Sequence, residues 1–172
     1  IRTDYRLGVM TENQTLSKLT SRLYEALDKI LLQEKPELVI VQGDTTTAFV
    51  GATIAYYHKT PVAHVEAGLR TGDLYQPFPE EGNRKMIDQI AKYNFAPTQM
   101  AGDNLKKENV LGEVFVTGNT GIDTLLEIAS KVEVKQKQQV LVTLHRRENF
   151  GVPLRNILEG IDVFLQIDRN EH

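Results

Sequence analysis

Apolar residues at Leu16, Leu19, Leu23, Ala26, Leu27, Ile30 and Leu31 recur at three- and four-residue spacing, which predicts an amphipathic helix running to about Gln33. Ahead of it, Tyr5–Met10 reads as a weak strand, and Thr11–Gln14 is polar and suited to capping. Beyond Pro36 the pattern changes to a short apolar run, Leu38–Val41, of the kind buried in a parallel sheet. Gly43-Asp44-Thr45-Thr46-Thr47 then turns the chain into a second helix, Ala48–His58, whose Ala48, Gly51, Ala52 and Ala55 allow close packing on a sheet. Pro61–Val65 is the next strand. A long loop leads to a helix over Glu80–Tyr93, with Met86, Ile87, Ile90 and Ala91 expected to face inward. There follow a brief strand at Asn94–Ala96, a helix over Gln99–Glu108 capped by Thr98, a strand at Glu113–Thr117 and a helix from about Gly121 to Ser130. Lys131–Gln139 is polar and charged, the best linker candidate; Val140–Thr143 reads as a strand and Leu154–Ile167 as a closing helix.

Strands alternate with helices throughout, which predicts an α/β fold: a Rossmann-like, doubly wound parallel sheet made of right-handed βαβ units. The linker divides the chain into residues 1–130, a first Rossmann-like domain, and residues 131–172, the linker with the opening of a second domain too small to bury a core alone. The chain begins on Ile1 and stops at His172 just after a helix-like run, so a piece of a longer protein is expected.

Composition narrows the function classes. A hydrophobic share of 41% and a charged share of 25% are ordinary for a globular protein. The net charge of −3 supplies no global attraction to nucleic acid or to an anionic membrane, and no basic stripe with interleaved aromatics is present. No apolar run approaches the ~20 residues of a membrane span. The absence of cysteine excludes disulfides and thiolate metal sites and is compatible with the cytoplasm. Neither a GxGxxG nor a P-loop pattern occurs, and GxSxG is absent as well, so dinucleotide, Walker-type and serine-hydrolase readings are weak.

The chemistry gathers at predicted strand ends. Asp44 follows one strand directly and precedes a helix, so it is either an N-cap or a site residue. Glu66 stands in the same relation to the next strand, and ligands of open α/β sheets sit outside these carboxyl ends. Glu80, after the long loop, makes a third acid. Repulsion and burial let one such carboxyl be neutral while another is ionised, the arrangement acid/base work needs. No regular ligand spacing supports a metal. Arg70 and Arg84 are the nearest cations, able to bind an anionic leaving group or to pair with a carboxylate. His64 lies one residue inside its strand and reads as packed; His58 reads as a surface or capping residue. His145-Arg146-Arg147 follows a strand and is either a phosphate site, with Arg as ligand, or a solvated basic turn.

Five motifs in this order resemble one family: Gly43-Asp44-Thr45-Thr46-Thr47, His64-Val65-Glu66-Ala67-Gly68-Leu69-Arg70, Pro79-Glu80-Glu81 with Asn83-Arg84, Val116-Thr117-Gly118-Asn119-Thr120, and His145-Arg146-Arg147-Glu148-Asn149. Together they are similar to the non-hydrolysing UDP-N-acetylglucosamine 2-epimerases, most clearly from Gln14 to Gly151. The resemblance implies a two-domain fold of the glycosyltransferase-B type with the active site between its Rossmann-like halves. It implies interconversion of UDP-GlcNAc and UDP-ManNAc for polysaccharide biosynthesis, without a cofactor, in a cytoplasmic homodimer. Asp44, Glu66 and Glu80 match the family's catalytic carboxylates and His145 its cleft histidine; Arg70, Arg84, Arg146 and Gln14 are the candidate substrate contacts. In some bacterial members UDP-GlcNAc is also an allosteric activator, and an Arg often precedes the Gln matching Gln14, where Asn13 stands here. The family's opening strand with its Gly-Thr-Arg-Pro-Glu loop is missing, and most of its second domain would lie beyond His172. The resemblance therefore makes this chain an internal fragment of about half the enzyme, inactive alone.

The mechanism that goes with this reading is elimination and re-addition of UDP through 2-acetamidoglucal. A glycosyltransferase of the same fold, a hydrolysing epimerase and a non-catalytic nucleotide-sugar-binding module are the rival readings.

Overall fold

Thr15 starts the first helix: its hydroxyl accepts the Lys18 N–H and satisfies one of the donors that a helix start leaves open. The helix, α1 (Leu16–Glu34), buries Leu23 and Leu31 on the stripe its periodicity marks out. The computed structural model describes residues 2–132, 141–144 and 150–170, with the side chains of the last segment described to residue 164. Four strands follow α1 among these residues: β1 (Val39–Gln42), β2 (Val62–Val65), β3 (Tyr93–Ala96) and β4 (Glu113–Val116). They are joined by α2 (Thr46–Tyr57), α3 (Glu80–Ile90) and α4 (Gln99–Lys107), and α5 (Thr120–Ala129) comes after β4.

The strands pair in parallel in the order β1-β2-β3-β4, so the expected α/β class with a parallel sheet is what forms. The register sets Val41, His64, Asn94 and Val114 in one row. Val41 lies against Gly51 of α2 and Val114 against Gly102 of α4, so those two helices cover the same face of the sheet. The strand order dictates this: right-handed crossovers between successive neighbours put each connecting helix on one side. All the strands therefore present their carboxyl ends, and the turns that follow them, at one edge.

Leu23, Val50, Ile54, Val62 and Ile87 form the main core, each no more than 5% exposed, and tie α1, α2 and α3 to β2. A smaller cluster of Ala67, Ala96, Ala101 and Leu105 lies under α4. Between them the chain passes Gly68, at φ +81°, where an added Cβ would stand 2.2 Å from the carbonyl oxygen of Ala101. The turn after β2 is thus pressed against the start of α4. Thr98 caps that helix as expected, accepting the Ala101 N–H at 3.1 Å.

Some expectations differ from the fold. Tyr5–Met10 forms no strand; Leu7 and Val9 pack on the main core, and among the described residues no strand pairs with them. The third helix stops at Ile90 rather than Tyr93, because Ala91 turns extended and Lys92 donates its N–H to Val62, feeding the chain into β3. Residues 141–144 form no strand, and Val140 lies outside the described residues. The chain divides into two compact units, Ile1–Lys131 and Val132–His172, and α6 (Val152–Asn170) belongs to the second. Among the described residues no helix is long and apolar enough to cross a membrane.

Gly68→Ala is expected to destabilise the first unit by about 1–3 kcal/mol, the usual range for overpacking, with left-handed backbone strain in addition. Urea unfolding of the two proteins checks it, and equal midpoints would mean that the turn can lift off α4.

Candidate active site

The turns after β1 and β2 are built against each other. Gly43 adopts φ +70°, donates its N–H to the Val65 carbonyl at 2.9 Å and accepts from His64 Nε2 at 2.8 Å. A Cβ placed on Gly43 would lie 3.5 Å from Glu66 Oε2, so the Glu66 carboxylate lies beside the residue before Asp44. Glu66 itself has φ +69°, a left-handed conformation uncommon for a residue with a side chain. Its successor, Ala67, donates to the Phe95 carbonyl at 3.1 Å, which fixes the turn to β3.

Asp44 is not the cap of α2. Thr45 is, its hydroxyl accepting the Ala48 N–H at 3.2 Å. The Asp44 carboxylate is left free of capping and accepts from Arg84 Nη1 at 2.6 Å, while Asn83 Nδ2 donates to the Asp44 carbonyl at 2.8 Å. Both partners come from α3, one turn on from Glu80, and so share its side of the helix. Glu80 is the first residue of α3, and its Oε2 is buried with no hydrogen-bond partner among the described residues. Glu66 thus lies beside the turn that carries Asp44, and Glu80 opens the helix that grips Asp44.

The inward face of α3 carries charge. Glu81, Arg84, Ile87, Asp88 and Ala91 are buried, whereas Met86, expected inside, is 47% exposed. The reason is local: this stretch of α3 faces turns whose backbone N–H groups need acceptors, so carboxylates fit there better than an apolar chain. Glu81 accepts from Thr71 N–H at 3.2 Å, Gly72 N–H at 3.4 Å and Arg84 Nη2 at 2.6 Å. Burial alone would raise its carboxyl; Arg84 and the Thr71 N–H outweigh that and hold it below the ordinary value.

Asp88 is the centre of a second network. Its Oδ1 meets His64 Nδ1 at 2.6 Å, and its Oδ2 accepts from Gly68 N–H at 3.2 Å and Arg70 Nη2 at 2.7 Å. Arg70 continues to Glu108 through Nε at 2.9 Å and Nη2 at 2.6 Å, and Lys85 Nζ reaches Glu108 at 2.7 Å. Burial works to lower the Arg70 guanidinium, but Glu108 and Asp88 raise it overall. Glu108 is held at about 2, chiefly by its bonds to Arg70. Arg70 and Arg84, the candidate substrate cations, each therefore have two carboxylate partners inside the chain.

Gln14 sits at the entry to α1, where its Oε1 accepts from the Thr11 N–H at 3.2 Å and lies 3.5 Å from Arg22 Nη1. His145 and Arg146 lie outside the described residues. His64 is fully buried, as its strand position implied, and His58 ends α2 with its Nε2 2.6 Å from Asp28 Oδ1. Sequence reasoning did not single out Asp88 or Glu108 and left Glu81 without a role. A signal existed for two of them: Glu81, Arg84 and Asp88 recur at three- and four-residue spacing on the stripe that holds Ile87 and Ala91.

Comparison with known proteins adds a family. A family model described as UDP-N-acetylglucosamine 2-epimerase matches residues 1–170. A UDP-N-acetylglucosamine 2-epimerase of Bacillus subtilis (strain 168) is 47% identical over 169 residues, covering 94% of this chain and 44% of its own length. The solved structure of the UDP-GlcNAc 2-epimerase of Methanocaldococcus jannaschii in complex with UDP-GlcNAc and UDP is 40% identical, with a TM-score of 0.83, over 98% of this chain and 49% of that one. That of Neisseria meningitidis bound to UDP-GlcNAc is 44% identical, with a TM-score of 0.71, over 76% of this chain and 36% of that one. The chain spans less than half the length of the curated relatives it matches.

The Glu108 carboxyl, at about 2 against an ordinary 4.5, gives a stability prediction with a definite sign. A depressed value in the folded chain stabilises in full above the ordinary range and is lost as the pH falls toward the folded value. Glu108→Gln is expected to unfold at lower urea than the wild type near neutral pH. The gap between them should narrow as the pH drops from about 5 toward about 2, and a gap independent of pH would show that the pairing with Arg70 does not stabilise the fold.

Proposed function

The chain belongs to the UDP-N-acetylglucosamine 2-epimerase family, and on that premise we propose that the full-length protein, taken to the length of its relatives, interconverts UDP-GlcNAc and UDP-ManNAc at C2. The observation that supports this most is the hold of Arg84 and Asn83, on the helix that Glu80 opens, over Asp44, whose turn lies beside Glu66. In this reading residues 1–130 are the first Rossmann-like half of a glycosyltransferase-B-type enzyme, and residues 131–172 are the linker and the start of the second.

The chemistry fits such an arrangement. The C2 hydrogen of the sugar is not α to a carbonyl and is weakly acidic, so departure of UDP from C1 must be well advanced as the proton leaves. A carboxylate serves twice, as the base at C2 and as negative charge beside an electron-poor C1. Elimination gives 2-acetamidoglucal and UDP; UDP adds back as a proton arrives on the other face of C2. Inversion therefore needs more than one acid/base group, and Asp44 and Glu80 take these roles with Glu66 in support. Among the described residues the buried Oε2 of Glu80 has no partner, which suits a group whose partner is the substrate. Arg84 orients Asp44 and offsets its charge. With Arg70 and Arg84 engaged by carboxylates, the leaving diphosphate falls to Arg146 and His145. A cytoplasmic homodimer completes the reading; for activation by a second UDP-GlcNAc the chain departs from such relatives, with Asn13 where an Arg often precedes the Gln.

In D2O the full-length protein should place deuterium at C2 of the product. Asp44→Asn and Glu80→Gln should each lower turnover ~10²–10⁴-fold, the usual contribution of a positioned acid or base, with much smaller changes in UDP-GlcNAc affinity. A C2 hydrogen left untouched would point to a glycosyltransferase or a binding module, released ManNAc to a hydrolysing enzyme, and an epimer without deuterium to a ketone intermediate. Residues 1–172 alone should show no epimerisation by NMR; turnover at a rate like that of the full-length protein would contradict the assignment of the cleft.

A further inference from the structure

His64 is fully buried, and both of its ring nitrogens meet oxygen: Nδ1 lies 2.6 Å from Asp88 Oδ1 and Nε2 lies 2.8 Å from the Gly43 carbonyl oxygen. The carbonyl carries no hydrogen. Asp88 is also fully buried, and its other oxygen already accepts from Gly68 N–H and Arg70 Nη2, so it faces donors on every side. A carbonyl oxygen only accepts, so the Gly43 contact is a hydrogen bond only if His64 Nε2 carries the hydrogen. The ring then spans from the inward face of α3 to the turn that carries Asp44, and that same turn abuts the Glu66 carboxylate.

We propose that His64 is a positioning residue: its Nε2–H holds the Gly43 carbonyl and so sets the aim of Asp44 and Glu66, while Asp88 holds the ring in place. The other ties of the turn survive without it. Gly43 N–H still bonds Val65, and Asn83 and Arg84 still bond Asp44. Loss of His64 therefore shifts the carboxylates more than it unfolds the turn, and the effect falls on turnover rather than on nucleotide binding.

The test rests on the proposed epimerisation for its kinetic arm and is independent of it for its spectroscopic arm. An asparagine amide nitrogen can stand near the place of Nδ1 and a glutamine amide nitrogen near that of Nε2. In the full-length protein His64→Asn keeps the bond to Asp88 and loses Gly43; His64→Gln keeps Gly43 and loses Asp88. His64→Asn should lower kcat by ~10–100-fold, the scale of a misplacement of about 1 Å, with KM for UDP-GlcNAc nearly unchanged, and His64→Gln should recover most of it. A kcat equal to wild type in folded His64→Asn, a change in KM alone, or equal losses in the two variants would overturn the proposal. In the wild-type full-length protein, long-range 1H–15N spectra should show hydrogen on His64 Nε2. An Nε2 without hydrogen would overturn it whether or not either variant folds and whatever reaction the protein carries out.

Discussion

A carboxylate sealed from water must be surrounded by donors, and the buried Asp88 takes one from each piece of chain it holds together. His64 comes from β2, the Gly68 N–H from the turn behind it and Arg70 from the loop beyond. A helix, a strand end and a loop are thereby locked to one point. Removing one partner of such a buried pair typically costs about 3–5 kcal/mol, because the other charge is left uncompensated. The network limits that exposure by alternating sign outward, from Asp88 to Arg70, to Glu108 and finally to the half-exposed Lys85. The charge is discharged step by step toward solvent rather than stranded inside.

The two turns at the site are held in different ways. The turn after β1 is short, and backbone and side-chain bonds fix Gly43 and Asp44 from both flanks. The connection after β2 is long, and its tip exposes Leu74, Tyr75 and Phe78. It is tied at its base by Glu81, which accepts from the backbone of both Thr71 and Gly72. Asp44 thus sits on a turn bonded from both flanks, while the aromatic tip of the neighbouring loop lies beyond the bonds from Glu81. The strain at Glu66, whose left-handed backbone is uncommon for a residue with a side chain, is tolerated because the pairing of Ala67 with Phe95 and the close approach of Gly43 leave the turn little alternative.

Period and composition revealed the frame because the frame is built from repeating apolar positions. The spacing of Leu16 to Leu31 reported α1, the run Leu38–Val41 reported β1 and Thr98 reported the cap of α4. The placement of carboxylates at strand ends was legible for the same reason: Asp44 and Glu66 each follow an apolar run directly. What could not be read was which polar residues turn inward. Apolar periodicity assigns charge to the solvent side, so Met86 was placed inside and Asp88 given no part, the reverse of what forms. Glu108 lies 38 residues from Arg70 in sequence, and no local spacing links them. Asp44 and Thr45 are both good capping residues, and only the geometry of the turn decides that the threonine caps and the aspartate is released.

Glu80 and Glu81 show how narrow that decision is. The two are identical in type and adjacent at the start of α3, where the helix dipole favours either one. Successive residues on a helix point about 100° apart, since a turn takes 3.6 residues. That rotation sends Glu81 to the inward side, where Arg84 and two backbone donors consume its oxygens and hold its carboxyl low. It leaves Glu80 beside the grip on Asp44 with one oxygen buried and unclaimed among the described residues. With both oxygens engaged, one by Arg84 and one by the loop, Glu81 cannot take up a proton without loosening one of these ties. A group with an unclaimed oxygen can. The fully bonded carboxylate and the one with an unclaimed oxygen among the described residues are therefore separated by a single step along the helix.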